Sequence, residues 1–186
     1  MSLYQLPHNL PAPVDDDGCA HLEGMAVPSL ELESTLGPVD LAELATGRAV
    51  LYVYPRTGRP GQVISDSWNA IPGARGCTPQ SCGFRDLYAE LQALGVAAVY
   101  GLSTQDTPYQ REAAARLHLP FPLLSDERFA LTRAMQLPTF PVGSMTLLKR
   151  LTLILRDGVV EHVFYPVFPP DRNAGEVVRW LRSSGS

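Results

Sequence analysis

The sequence is poor in the residues that mark several common classes of protein. It has 3 cysteines and 4 histidines in 186 residues, and the histidines are scattered rather than set at the spacing of zinc ligands. A disulfide scaffold or a structural zinc site is therefore not expected. No apolar run reaches transmembrane length, so we predict no membrane span. The net charge of −4 and the lack of a basic patch argue against nucleic acid or an anionic membrane as the main partner.

The first residues also lack the features of a secretory leader. "MSLYQLPHNLPAPVDDDGCAH" has neither a basic start nor an apolar core segment, so we expect a cytoplasmic protein whose thiols stay reduced. A chain of 186 residues is long enough for one domain with its own core. We predict an irregular or weakly held arm over residues 1–24, rich in Pro, Asp and His, and a single domain over residues 25–183.

The rest of the chain alternates between apolar strands and amphipathic helices. "AVLYVYP" and "VAAVYGLS" predict buried strands, "AVPSLELES" predicts an earlier strand, and "GPVDLAELA" predicts a turn followed by a short helical piece. Helices are predicted in "RDLYAELQALG", in "TPYQREAAARLHL" opening on Thr107 and Pro108, in "DERFALTRAMQL" opening on an Asp cap, and in "DRNAGEVVRWLRS".

The clearest local signal is a hairpin. In "LTLILRDGVVEHVFYP" two strands flank Asp157 and Gly158, a dipeptide favoured in tight turns. From Ala49 the order is strand, helix, strand, two helices, hairpin and helix. This order predicts an α/β protein with a mixed central sheet covered by helices on both faces. It is the order of the thioredoxin fold.

Two cysteines, Cys77 and Cys82, lie together in "GCTPQSCGFRD". Their spacing alone leaves a metal clip, a structural disulfide or a redox pair open, and the scarcity of other ligands favours the redox pair. Cys77 follows the first core strand through a glycine-containing loop and opens a helix, where unpaired N–H groups and the helix dipole favour a thiolate. Arg75 and Arg85 are close in sequence and would add positive charge. Cys19, in the acidic lead-in, is interpreted as an incidental thiol.

At this point the chain resembles a known family. "GCTPQSCGFRD" is similar to the peroxidatic motif of the peroxiredoxin Q, or bacterioferritin-comigratory, branch of the peroxiredoxins. "LYVYP", "LSTQDTPYQREAAARLHLPFPLLSD" and "RLTLILRDGVVEHVF" resemble other segments of that branch, so the likeness runs from about Met25 to Leu181. It implies a thiol-dependent peroxidase for hydrogen peroxide or organic hydroperoxides.

The resemblance implies a role for each of three residues. Cys77 would be the nucleophile that attacks the O–O bond and becomes a sulfenic acid, and Cys82 would resolve it as an intramolecular disulfide. Arg150, from the "Arg-x-Thr" strand, would stabilise the Cys77 thiolate and the charge that develops on the peroxide oxygens. A thioredoxin-like partner would reduce the disulfide, and no metal or organic cofactor is needed. We expect a monomer or a weak homodimer.

One departure from the family concerns the substrate pocket. The family's proline and threonine, seven and three residues before the nucleophile, are replaced here by Ala70 and Ala74. Between Pro55 and Gly76 the chain instead has the long loop "RTGRPGQVISDSWNAIPGAR", and long connections are often functional.

We predict that this loop rebuilds the pocket. We assign the substrate site to Pro55, Thr57, Gly76 and Thr78. The residues that would supply the missing hydroxyl are Thr57, Ser65, Ser67 or Thr78. The apolar members that would cover the site or dock a partner are Val63, Ile64 and Trp68. The alternative is a surface loop that leaves a weak site.

Two other functions stay open on the sequence. Because position 74 lacks the family's threonine, one alternative is a redox sensor or interaction protein that forms a reversible disulfide. A thioredoxin-like disulfide reductase is a weaker hypothesis, because that chemistry usually goes with two residues between the cysteines and this chain has four.

Spacing also predicts a mechanical step. On one regular helix, Cα atoms five residues apart are about 8–9 Å apart and point about 140° away from each other. A disulfide tolerates about 7 Å at most. We therefore expect a helix that runs through Cys82 in the dithiol form and unwinds at its start before the disulfide can form. The segment "TPQS" has few large apolar side chains to resist this.

Overall fold

The structure, a computed structural model, describes residues 6–42, 46–62 and 65–184. The strands are β1 (Glu31–Ser34), β2 (Val39–Asp40), β3 (Arg48–Val53), β4 (Val96–Ser103), β5 (Leu123–Ser125), β6 (Thr139–Val142), β7 (Met145–Leu148), β8 (Leu151–Arg156) and β9 (Val159–Phe164). The helices are α1 (Asp66–Asn69), α2 (Cys77–Asp86), α3 (Tyr88–Ala93), α4 (Thr107–Leu117), α5 (Ala130–Met135) and α6 (Asn173–Ser184), with a 3-10 turn at Pro170–Arg172.

Seven of the described strands form one mixed sheet in the order β2-β1-β5-β4-β3-β8-β9. β3, β4 and β5 run parallel, while β8 lies antiparallel to β3 on its other side. β3 lies inside the sheet, between β4 and β8, because its apolar run has side chains to bury on both faces. Leu51 and Val53 point to a core that includes α5, whereas Val50 and Tyr52 point to a second core formed with α2, α3 and α6. The predicted mixed sheet, covered on both faces, is confirmed.

The predicted hairpin is also confirmed. β8 and β9 pair around Asp157 and Gly158, whose φ angles of 50° and 77° are those of a tight turn that matches strand twist.

One prediction about an element needs correction, and two features of the fold were not predicted. Val39 pairs with Leu32 as part of β2, where we predicted a turn, and the helical residues predicted at 43–45 lie outside the described residues. β5 and the β6–β7 hairpin were not predicted. The three residues of β5 are too few to show a period, and the β6–β7 hairpin contains Pro141, which weakens a strand signal.

Two helix starts also differ from the predicted ones. α4 is capped by Asp106, whose carboxylate accepts from the Tyr109 N–H at 2.7 Å, so Thr107 is already helical. α5 begins only at Ala130, although the Asp126 carboxylate does accept from N–H groups in its first turn.

The lead-in is irregular, as predicted, but it is not weakly held. Within residues 6–24, Leu22 is fully buried and Cys19 is 6% exposed, both in the core that includes α5. The Asp16 carboxylate pairs with the Lys149 ammonium. The polar composition predicted a weakly held segment, but two buried apolar residues, Cys19 and Leu22, are enough to anchor it. The domain boundary after residue 24 stays a prediction.

Within the described residues, no helix combines the length and the apolarity that crossing a bilayer requires.

Candidate active site

Cys77 is the first residue of α2 and is 3% exposed. The chain reaches it through Gly76, which has a φ of 110° and caps the helix. A Cβ on Gly76 would lie 2.3 Å from Cγ of Pro170, so only glycine fits this turn without a shift. The result is that the Cys77 thiol sits at the positive end of the α2 dipole.

Arg150 lies between β7 and β8 and brings its guanidinium directly to this thiol. Its Nη2 donates to Cys77 Sγ at 3.3 Å, and the residue itself is 3% exposed. The guanidinium is held in place by carbonyl oxygens of the loop before α2: Nη2 donates to those of Gly73, Ala74 and Arg75 at 3.2, 3.1 and 3.3 Å. Sequence reasoning selected this residue, and the structure brings it to Cys77. Its catalytic role stays a prediction.

Gln80 is the residue of the site that sequence reasoning missed. It is fully buried, and its Oε1 accepts from Nη1 of Arg150. Its Nε2 donates to Oδ1 of Asn173 at 3.0 Å, and that same oxygen accepts from the Thr152 hydroxyl at 2.7 Å. The network joins α2, β8 and α6 behind the thiol. A polar residue three positions after Cys77, and so on the same helix face, was the available signal.

A pocket of about 380 Å³ opens onto Cys77. Its floor is the start of α2, and its walls come from the inserted loop and from the β6–β7 hairpin. The pocket wall includes Arg56, Thr57, Trp68, Arg75, Val142 and Met145. The predicted rebuilding of the pocket by the loop agrees with this geometry.

The residues assigned to the substrate site divide into two groups. Thr57, Gly76 and Thr78 line the pocket, whereas Pro55 is buried and is not among the lining residues. Pro55 comes two residues after the end of β3, and its assignment to the substrate site stays a prediction. Val63 and Ile64 lie outside the described residues.

The candidate hydroxyls differ in what they bind. The Thr57 hydroxyl donates to Oε1 of Gln105 at 3.2 Å. Ser65 caps α1, and its oxygen also contacts the Ser67 hydroxyl at 2.8 Å, while Ser67 does not line the pocket. Thr78 lines the pocket and makes no side-chain hydrogen bond with another described residue.

Cys82 lies one and a half turns further along α2 and is half-buried. Burial raises the pKa of the Cys82 thiol, and the nearby Arg85 charge opposes that rise. Arg85 was expected near Cys77. It instead pairs with Asp86 and donates to the Leu117 carbonyl at 2.8 Å, on the Cys82 side of the helix.

Helix α2 runs unbroken through both cysteines, which are free thiols. The predicted helix through Cys82 in the dithiol form is confirmed. The segment "TPQS" has no large apolar side chain, as expected, but all four of its residues are buried. In particular, the Tyr52 hydroxyl donates to Ser81 at 3.1 Å. Unwinding of the start of α2 must therefore break polar contacts, such as those of Ser81 and Gln80, rather than apolar ones.

Cys19 belongs to a different part of the molecule. It packs in the core that includes α5, whereas Cys77 packs in the core on the other face of the sheet. Burial, with added repulsion from Asp15 and Asp16, raises the pKa of Cys19 to about 12. Cys19 is therefore a core residue, and we expect its thiol to be less reactive than that of Cys77.

Comparison with known proteins gives a consistent result. A family model described as Redoxin matches residues 22–178. The chloroplastic peroxiredoxin Q of Oryza sativa subsp. japonica is 32% identical over 163 residues, which are 87% of this chain and 67% of that protein.

Solved structures agree. The peroxidoxin BcpB from Mycobacterium tuberculosis has a TM-score of 0.70 and 26% identity, over 88% of this chain and 98% of that chain. The bacterioferritin comigratory protein of Xanthomonas campestris, studied for its alkyl peroxide reduction activity, has a TM-score of 0.69 and 24% identity, over 89% of this chain and 99% of that chain. The thioredoxin-like fold predicted from the order of elements is confirmed by these matches.

Proposed function

The chain belongs to the redoxin family, as a thiol-dependent peroxidase of the peroxiredoxin Q group, and on that premise we propose that Cys77 is its peroxidatic residue. One observation carries the proposal. A guanidinium that is itself buried donates to Cys77 Sγ at 3.3 Å, at the start of a helix and on the floor of an open pocket. The sensor with little turnover is not favoured.

The first step is a displacement at oxygen. The Cys77 thiolate attacks the terminal oxygen of the hydroperoxide, an S–O bond forms and the O–O bond breaks. Sulfur is oxidised to the sulfenic acid and the peroxide is reduced to an alkoxide, or to hydroxide, which takes a proton from water. Arg150 and the N–H groups at the start of α2 stabilise the negative charge that develops on both peroxide oxygens.

The second step joins the two cysteines. After the start of α2 unwinds, the Cys82 thiol attacks the sulfenic sulfur, and a disulfide and one water are formed. As in its family, the enzyme uses a peroxide as its oxidising substrate and a thioredoxin-type dithiol as its reductant. That dithiol returns two electrons and two protons by exchange, which completes the cycle.

Two further residues support these steps. Gln80 holds the Arg150 guanidinium toward Cys77, because it accepts from Nη1 while the carbonyl oxygens hold Nη2. Thr78 is the best placed of the candidate hydroxyls to bind the peroxide, since it lines the pocket beside Cys77, whereas the Thr57 hydroxyl already donates to Gln105.

The setting of the enzyme is also a proposal. Three unpaired cysteines suit a reducing compartment, so we propose the cytoplasm. We also propose that the chain acts as a monomer or a weak homodimer, with neither nucleic acid nor a membrane as a partner. Sedimentation at two protein concentrations tests the oligomeric state.

Stopped-flow oxidation by hydrogen peroxide tests the proposal for Cys77. We expect the Cys82→Ser variant to accumulate a sulfenic acid on Cys77 at a rate far above that of a free thiol, and the Cys77→Ser variant to show no fast phase. A Cys77 that reacts no faster than a free thiol would refute the proposal.

A further inference from the structure

The pocket above Cys77 is positively charged although the chain as a whole is acidic. Arg56 and Arg75 both line it, and no Asp or Glu is among the described residues that do so. The chain carries a formal net charge of −4, so this is a local feature. Arg150 behind the thiol offsets the charge of the Cys77 thiolate. The two arginines of the wall therefore attract an anion to the pocket.

Arg56 differs from several other arginines of this protein. Arg48 and Arg182, for example, are paired with Glu161 and Glu90. For Arg56, no carboxylate within the described residues lies at ion-pair distance, and its Nη1 donates to the Met145 sulfur at 3.2 Å. A thioether is a weak acceptor, so this guanidinium gains a stronger partner when a carboxylate enters.

Part of the pocket wall is apolar. Trp68, Val142 and Met145 present apolar surface to the same space. The volume of about 380 Å³ is also far more than hydrogen peroxide needs, because a water molecule occupies only about 30 Å³ in the liquid. A larger substrate with an apolar body fits this pocket.

We infer that the preferred substrate is an organic hydroperoxide that carries a carboxylate, with Arg56 as the residue that selects for it. This rests on the proposed peroxidase function of Cys77. The carboxylate binds the Arg56 guanidinium, the apolar body lies on Trp68 and Val142, and the hydroperoxide reaches Cys77. The chemistry is unchanged: the O–O bond breaks, sulfur gains the terminal oxygen, and the organic alkoxide takes a proton from water and leaves as an alcohol.

A matched pair of substrates tests the inference. Cumene hydroperoxide and 4-carboxycumene hydroperoxide differ only in the carboxylate. We expect the carboxylated one to be reduced with about tenfold higher kcat/KM, as one charge-assisted contact worth about 1.4 kcal/mol would give. Raising the ionic strength should reduce this ratio, because the pocket is open to solvent and salt screens the attraction.

Two variants assign the effect to one residue. Arg56→Gln should bring the ratio of the two kcat/KM values close to one, and Arg56→Lys should keep part of it. Arg59→Gln is the matched control: Arg59 is in the same loop but stacks on Tyr109 at 4.3 Å and does not line the pocket, so the ratio should stay high.

The outcomes separate the two proposals. A wild-type ratio near one, or a high ratio that persists in Arg56→Gln, overturns the selection by Arg56 and leaves the peroxidase intact. If neither hydroperoxide oxidises Cys77 faster than a free thiol, the proposed function fails and the inference fails with it. The salt dependence of the wild type gives a second reading that does not depend on the folding of any variant.

Discussion

At the scale of single residues, the site is organised around one buried charge. Arg150 is 3% exposed, a position that costs free energy unless every donor finds an acceptor. Here the acceptors are the carbonyl oxygens of Gly73, Ala74 and Arg75, the Gln80 side chain and the Cys77 sulfur. The loop before α2 thus holds the guanidinium that contacts the Cys77 thiol.

Removing this guanidinium should slow peroxide reduction. We expect Arg150→Ala to lower the rate of Cys77 oxidation by about 10²-fold or more, as loss of one donor to a developing charge does elsewhere. Arg150→Lys should recover only part of it, because an ammonium lacks the planar fork that reaches several acceptors. Stopped flow in the Cys82→Ser background measures the rate, and circular dichroism checks that each variant is folded. An unchanged rate in folded Arg150→Ala would remove Arg150 from the mechanism.

The three thiols should differ in reactivity. With a pKa of about 12, about one Cys19 thiol in ten thousand is ionised at pH 8, and it is buried as well. We expect Cys19→Ala to form the intramolecular disulfide with peroxide as the wild type does, and Cys82→Ser to lose it. Peptide mapping of the oxidised proteins shows which pair forms. A bridge that contains Cys19 would mean that Cys82 is not the resolving thiol.

At the scale of elements, α2 has to meet two opposing demands. As a helix it directs its positive end at Cys77, and it carries Gln80 to Arg150 and Ser81 to Tyr52. To form the disulfide it must give up those contacts, because cysteines five residues apart on a helix cannot bridge. We therefore expect the hydrogen bonds of Gln80 and Ser81 to affect how readily Cys82 reaches the sulfenic acid on Cys77.

Hydrogen exchange should report this unwinding. We expect the amides from Thr78 to Arg85 to be protected in the dithiol form and to lose protection in the disulfide form, while α6 stays protected in both. Mass spectrometry of the two forms gives the comparison, and α6 is the internal control. Equal protection of α2 in both forms would mean that Cys77 and Cys82 do not bridge.

The start of α2 also depends on one glycine. Gly76→Ala puts a Cβ 2.3 Å from Pro170 and forces a non-glycine residue to a φ of 110°, so we expect it to cost more than about 2 kcal/mol of unfolding free energy. Gly175→Ala is the control. It lies in α6 with nothing within 4 Å of the added Cβ, and it should stabilise by about 0.5–1 kcal/mol. Urea unfolding measures both; no loss in Gly76→Ala would contradict the reported clash.

At the scale of the whole molecule, the polar lead-in is part of the folded domain. Leu22 is fully buried in the core that includes α5, and the Gly24 N–H donates to the Val160 carbonyl at 2.9 Å. The segment therefore packs against the sheet beside the hairpin formed by β8 and β9.

Truncating its buried side chain should show this. We expect Leu22→Ala to lower the free energy of unfolding by about 2–5 kcal/mol, as for other buried leucines. Val14→Ala is the control in the same segment: Val14 is 84% exposed, and its change should stay within about 0.5 kcal/mol. Urea unfolding followed by circular dichroism gives both values. Equal small effects would mean that the segment is held as loosely as its composition suggests.

The sequence by itself determined the fold class and predicted a reactive cysteine at a helix start. Apolar runs fixed β3 and β4, Asp157 and Gly158 fixed the hairpin, and a cysteine after a glycine loop at a helix start predicted a thiolate. These are local signals, because strand period, turn conformation and helix polarity act over a few residues.

Only the tertiary structure decided which distant groups meet at that thiol. Arg150 contacts Cys77, which lies 73 positions earlier in the chain. Gln80 binds Asn173, which lies 93 positions later, and so links Arg150 to α6. The inserted loop became a charged and partly apolar wall of the pocket, and the lead-in entered the core. Burial and hydrogen bonding between distant segments depend on how the sheet and helices pack, and no local pattern in the chain encodes that.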